Sequence, residues 1–263
     1  MRRAFGYLRI IARHDPHPPG SAMPVPRIYC QFEIADAVQV ELGVNAAHHA
    51  ARVLRLRRGD DVVLFDGKGG DYAASIHEVN RARVLVDVGR HRPDDRESAL
   101  HVCLAQGLAT GDKMDTILQK AVELGAAAFQ PIASRRSVVK LTDERSARRA
   151  AHWQQVAIAA CEQCGRNRLP DVRPVEEVDS WVVHQTGVRL ILAPDGAQRF
   201  ADLPRPSESV TLLVGPEGGF SDAEVTLALA AGFKSVRMGP RILRTETAGL
   251  AALAAMQALW GDF

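Results

Sequence analysis

The chain of 263 residues contains no uncharged apolar run approaching the roughly 18 residues of a membrane-spanning helix, which excludes a transmembrane reading. Aromatic residues are scarce at 5%, and there are four cysteines, Cys30, Cys103, Cys161 and Cys164. The one close pair, Cys161 and Cys164, has no second pair or neighbouring His pair to complete a tetrahedral zinc site. Set in a helical stretch, it reads as two small packing residues, so no metal is expected and a reducing cytoplasm fits. Neither G-x-G-x-x-G nor G-x-x-x-x-G-K-S/T occurs, which removes the usual dinucleotide and P-loop motifs. Lysine is nearly absent: Lys68, Lys113, Lys120, Lys140 and Lys234 leave 28 of the 33 cations as Arg. The planar Arg fork suits phosphate and carboxylate, while codon bias explains the same excess. The net charge is only +2, and neither half of the chain is strongly basic. Charge alone therefore argues neither for nor against a nucleic-acid partner.

What remains is an ordinary folded chain, 46% hydrophobic and 24% charged, long enough for two domains. Residues 1–23 hold four Arg and a Pro/Gly stretch before a second Met at position 23. They read as an extension outside the fold, from an upstream start or as a targeting segment. Residues 24–92 are strand-like. Asp61–Phe65 and Tyr72–Ile76 flank the turn cluster Asp66–Gly70, Arg83–Val88 alternates in period two, and one helical piece covers Ala46–Leu56. A small β-barrel is the economical reading. The charged stretch Arg90–Ser98 marks the boundary, with 93–98 as linker. Residues 99–263 alternate strand and helix, with the near-continuous apolar runs Val188–Ala193 and Val210–Val214 expected of a parallel sheet covered on both faces.

Two segments of the second part carry chemistry. In Leu212-Leu213-Val214-Gly215-Pro216-Glu217-Gly218-Gly219-Phe220-Ser221-Asp222-Ala223-Glu224, a buried strand enters a Gly-rich turn. Ser221 and Glu224 then stand at capping-box spacing. Glycines there let backbone approach a ligand closely, although a tight strand-to-helix turn without ligand accounts for them equally well. In Met238-Gly239-Pro240-Arg241-Ile242-Leu243-Arg244-Thr245-Glu246-Thr247-Ala248-Gly249-Leu250, a short strand again ends in glycine before an apolar helix. Two such loops side by side would lie at the carboxyl edge of the sheet, where ligands bind. Glu246 falls in the first helical turn, where the dipole favours a carboxylate as anchor more than as general base.

These segments closely resemble the ribosomal RNA small subunit methyltransferase E family of SPOUT-class RNA methyltransferases. Further matching segments are Pro26–Tyr29, His48–Arg55, Gly111–Asp115, Gln119–Gly125, Arg136–Leu141 and Ala159–Arg166, so the resemblance runs from Pro24 to Phe263. It implies an α/β fold: a SPOUT-type parallel sheet domain with a C-terminal trefoil knot, preceded by a PUA-like β-barrel that helps hold RNA. It also implies a homodimer with the donor site beside the subunit interface. The implied activity is S-adenosylmethionine-dependent methylation of uridine N3 in 16S ribosomal RNA, on naked RNA or the assembled small subunit.

On that resemblance, the cofactor would be held by Gly215, Pro216, Glu217, Gly218 and Gly219, and by Met238, Gly239, Ile242, Leu243 and Arg244. Ala193 and Pro194 form a third loop, Leu213, Ile242 and Leu243 wall the adenine, and Thr247 and Ala248 match the start of the last helix. Arg244 and Arg241 would stabilise the uracil anion, with Glu217 as candidate base. Phosphate contacts are expected from Arg27, His49, Arg52 and Arg55, with Arg52 and Arg55 three apart on one helical face, and from Arg136 and Lys140. The alternatives are a ribose 2′-hydroxyl methyltransferase and a non-catalytic RNA-binding protein that retains the fold.

Overall fold

The computed structural model describes residues 25–80, 83–137 and 143–263. The expected extension, residues 1–23, lies outside the described residues.

The first sheet has five strands: β1 (Arg27–Tyr29), β2 (Gln39–Glu41), β3 (Asp61–Phe65), β4 (Asp71–Val79) and β5 (Val84–Arg92), in the order β1-β3-β4-β5-β2. β3 and β4 form the hairpin expected across Asp66–Gly70 and pair antiparallel. Register shifts between Tyr72 and Ala74 and between Ile76 and Glu78 mark irregularities in the β4–β5 ladder, the device by which a sheet coils around its own core. That core contains Ile28, Val40, Val62, Leu64, Ile76 and Val86. Helix α1 (Val44–His48) runs into a wide π turn, His49–Val53, and the chain leaves it through Arg55 at φ +55°.

The second sheet is parallel throughout and has the order β11-β13-β10-β12-β6-β7-β8. Its strands are β6 (Val102–Gly107), β7 (Ala128–Ala133), β8 (Asp171–Val172), β9 (Glu176–Glu177, beside β7), β10 (Val188–Leu192), β11 (Gln198–Arg199), β12 (Val210–Val214) and β13 (Lys234–Arg237). The helices are α2 (Lys113–Glu123), α3 (Asp143–Cys164), α4 (Val178–Trp181), α5 (Asp222–Ala230) and α6 (Thr245–Trp260). The run Val210–Val214 is buried at every position because β12 is central and covered on both faces. Leu212 and Val214 enter one core with Leu104, Ile117, Leu253 and Met256; Leu213 enters the other with Ala105, Ile191 and Phe233. Helix α6 packs on α2, β6 and β12, burying Ala252, Leu253 and Met256. Truncating Leu253 would cost about 2–5 kcal/mol by transfer and cavity terms.

Candidate active site

β10, β12 and β13 are neighbours in the sheet and run the same way, so their carboxyl ends open side by side. The three loops that follow them enclose a cavity of about 830 Å³. That size suits a nucleoside-sized ligand. Gly219 at φ +66° and Gly239 at φ +72° hold the left-handed backbone of two of these loops, and a Cβ on either would project into open space. Gly218 is different: a Cβ there would meet the carbonyl of Arg136 at 3.1 Å.

Each loop is anchored from behind. The capping box at Ser221 forms as expected, with the Ser221 amide donating to Glu224 Oε2 at 2.6 Å. Buried Glu224 also accepts from the Arg135 amide at 2.8 Å, tying the Gly-rich loop to the segment after β7. Thr245, opening α6, donates through its hydroxyl to the Gly215 carbonyl at 2.5 Å. Fully buried Gln106 donates to Thr245 Oγ1 at 2.9 Å, so β6, the β12 loop and α6 meet at one hydrogen-bonded point.

The charges around the cavity divide into paired and unpaired. Glu217 accepts from Lys113 Nζ at 2.9 Å and from the amide and hydroxyl of Thr110, at 3.0 and 2.8 Å. Partial burial pushes its carboxyl up, but these donors outweigh that effect and hold it at about 2. A carboxylate so committed is a poor proton acceptor near neutral pH, so these partners favour an anchoring role for Glu217 over that of the candidate base. Glu246 does occupy the first turn of α6 and stands 3.6 Å from the same Lys113. Arg241 and Arg244 also line the cavity, are exposed and make no ion pair among the described residues. Two free guanidinium groups thus face a cavity whose other cation is spoken for.

Most of the expected cofactor residues line this cavity: Ala193, Pro194, Gly215–Gly219, Met238, Gly239, Ile242, Leu243, Arg244 and Ala248. Two do not. Leu213 points into the opposite core because side chains alternate along a strand, and Val214 takes the lining place. Thr247 is exposed away from the cavity, and Thr245 lines it instead. Ile242 lines the cavity but is 84% exposed. Lys113, Asp195, Asp222 and Gln106 escaped the sequence reading. A Gln in the apolar run Val102–Gly107 was the available signal for the last of these.

The expected RNA contacts divide differently. Arg52 and Arg55 are exposed, but they do not share a helical face: helical structure ends at Val53, and Arg55 adopts the left-handed conformation. Val53, beside Arg52, is 59% exposed. Arg27 is not a surface cation, since its side chain is 15% exposed and bonded to Asp71 at 2.9 Å. Arg136 donates to the Phe220 carbonyl at 3.2 Å, behind the Gly-rich loop, and His49 is half-buried. Lys140 lies outside the described residues. Near Arg136, Arg135 pairs with Asp179, and in α3 Arg148 pairs with Glu144. Burial pushes the Cys161 thiol up to about 12, which keeps it neutral, in accord with a packing role.

Comparison with known proteins places these features in context. A model described as an RNA methyltransferase domain matches residues 96–257, and one described as an RNA methyltransferase PUA domain matches residues 42–89. The chain is 32% identical to the ribosomal RNA small subunit methyltransferase E of Bacillus subtilis, over 85% of this chain and 91% of that protein. Among solved structures, it is similar to a putative methyltransferase from Legionella pneumophila in complex with SAM. There the TM-score is 0.88 at 38% identity, covering 92% of this chain and all of the other. It is also similar to a Neisseria gonorrhoeae ribosomal RNA small subunit methyltransferase E bound to S-adenosylmethionine. That TM-score is 0.86 at 40% identity, over 91% of this chain and 100% of that one.

Proposed function

The chain belongs to the ribosomal RNA small subunit methyltransferase E family, and from that premise we propose that it methylates N3 of a uridine in 16S ribosomal RNA. It is an S-adenosylmethionine-dependent methyltransferase with a SPOUT-type trefoil-knot domain behind a PUA-like barrel. We further propose that it works in the cytoplasm as a homodimer, on small-subunit ribosomal RNA either free or assembled.

The residues present fit the cofactor. The glycines at 219 and 239 leave backbone open to the cavity, and Val214 and Leu243 supply apolar wall. Four acids line it, Asp195, Glu217, Asp222 and Glu246, against the cations Lys113, Arg241 and Arg244, an excess that suits a positively charged ligand. When bound, S-adenosylmethionine supplies an electrophilic methyl group on a sulfonium centre.

The chain's own task is to prepare the nucleophile. Uridine N3 carries a proton a few pKa units above neutrality, so ionising it costs on the order of 3 kcal/mol. Arg244, with Arg241 beside it, lowers that cost by facing the charge that develops on the uracil carbonyl oxygens as N3 loses its proton. With Glu217 committed to Lys113 and Thr110, the proton leaves to solvent. The observation that carries this reading is the pair of guanidinium groups, without an ion pair among the described residues, at the rim of a Gly-lined cavity. Phosphate contacts fall to exposed Arg52 and Arg55, joined by exposed Arg57 and Arg58 in the same segment.

The test is single-turnover methyl transfer to small-subunit RNA with wild type and Arg244→Ala. A hundredfold or greater loss of rate at donor affinity within about threefold of wild type supports the electrostatic role. An equal loss in donor affinity would move Arg244 from the nucleophile to the cofactor. Sedimentation measures the dimer: exposed Ile242, Leu259 and Phe263 support an apolar subunit contact, and a monomer at micromolar concentration would contradict it.

A further inference from the structure

Two of the segments quoted above, Pro26–Tyr29 and Ala159–Arg166, have no part in the cofactor cavity. The first includes strand β1 of the barrel and the second ends helix α3 of the other domain, yet they meet. Arg27 on β1 donates through Nη1 to Asp71 at 2.9 Å and through Nη2 to the Arg166 carbonyl at 3.3 Å and to Asn167 Oδ1. Its guanidinium also lies over the Phe65 ring, 4.9 Å from the centroid. From α3, Glu162 accepts the Tyr29 amide at 3.0 Å.

The far side of this contact is firmly rooted. Arg166 is 4% exposed; its Nη1 donates to the carbonyls of Val122 and Ala126 at 3.0 and 2.8 Å, and its Nε to Glu97 at 3.0 Å. Asn167, 3% exposed, ties together three segments of the chain. Its Oδ1 receives Arg27 from β1, its Nδ2 donates to the Asp94 carbonyl in the linker at 2.9 Å, and its carbonyl accepts the Gly69 amide from the β3–β4 hairpin at 3.2 Å.

We propose that Arg27 is a positioning residue, which through Asn167 fixes the orientation of the barrel on the catalytic domain and so places barrel-bound RNA over the cavity. An RNA held by both parts is presented to the donor site only if their relative orientation is set before binding; every degree of freedom left open is lost from the productive fraction. The fork geometry matters here, because one guanidinium must satisfy Asp71 and Asn167 in different directions, which an ammonium cannot reproduce. This inference rests on the RNA-methylation reading for its consequence, but the clasp itself does not.

The experiment uses the full chain in three variants, Arg27→Lys, Asn167→Ala and the pair together. Donor affinity is read by calorimetry, kcat and KM with deproteinised small-subunit RNA and with assembled small subunits, and domain orientation by small-angle X-ray scattering. Asn167 is 3% exposed and offers RNA almost no surface, so it separates positioning from direct contact. The expected result is a loss of tenfold or more in kcat/KM for RNA in both single variants, no further loss in the double variant, and donor affinity within twofold of wild type. The scattering envelope should broaden in all three. An unchanged kcat/KM in Asn167→Ala, or additive losses in the double variant, would overturn the positioning role. An unchanged scattering profile would overturn the clasp whether or not RNA is methylated, whereas absence of methyl transfer by wild type would count only against the RNA reading.

Discussion

Arg27, Lys113 and Arg244 are three cations with three fates, and partners decide between them. Arg27 is taken by Asp71 and Asn167, Lys113 by Glu217 and Glu246, and Arg244 by nothing among the described residues. Residue type alone marked both arginines as candidates for binding anions; only the partners showed which one is free. The same holds for Glu217. Its carboxyl is depressed from an ordinary 4.5 to about 2, so its ion-pair contribution to stability is fully present above about pH 4.5 and is lost as pH falls through about 2. It therefore introduces no ionisation near neutrality. Below the pKa that Arg244 sets for bound uridine N3, the rate of methyl transfer should rise about tenfold per pH unit; Glu217→Gln should keep that slope, and Arg244→Ala should move the bend to higher pH. A plateau in wild type that Glu217→Gln abolishes would restore Glu217 as the base. Leu213 and Val214 make a related point: the run Leu212–Val214 is uniformly apolar, so sequence could not say which side chain faces the cavity until the strand's pleat was known.

At the scale of elements, the loops matter more than the strands that carry them. Ser221→Ala removes one half of the capping box and should lower stability by about 1 kcal/mol, read as a shift in the denaturation midpoint without a change in slope. Gly219→Ala places a Cβ on a left-handed residue at a cost of about 1–2 kcal/mol, which should weaken donor binding by up to about thirtyfold if the loop relaxes out of shape. Calorimetry separates the two: Ser221→Ala acts on stability, Gly219→Ala chiefly on affinity. The long elements were legible because their periodicity is set by burial. β3, β10 and β12 fall where hydrophobic pattern and flanking turns put them. β1, β2, β8, β9 and β11 have two or three residues each, too few to show a period, and exist because a neighbouring strand offers its edge. The helix through Arg52 and Arg55 was misread for a different reason: it widens into a π turn and ends in a left-handed Arg, for which the sequence shows no glycine.

For the whole molecule, a net charge of +2 conceals an uneven surface. Exposed Arg52, Arg55, Arg57 and Arg58 lie within seven residues, and the cavity rim carries Arg241 and Arg244. Replacing Arg52 and Arg55 together by Ala should weaken RNA binding and make its log-log dependence on salt shallower by roughly 1 to 2, as two phosphate contacts are lost; an unchanged slope would exclude that segment as the contact. The two-domain architecture was legible from the change of hydrophobic pattern at Arg90–Ser98, whereas the clasp between the domains was not, because Arg27 and Asn167 are 140 positions apart and nothing in the sequence pairs them. All of this converges on one chemical event at one base. Mass mapping of modified nucleosides in ribosomal RNA from a strain lacking this gene, complemented with wild type or Arg244→Ala, tests it most directly. One N3-methyluridine should disappear from the small-subunit RNA, return with wild type and fail to return with Arg244→Ala. Loss of a ribose 2′-O-methyl group in its place, or an unchanged nucleoside profile, would contradict it.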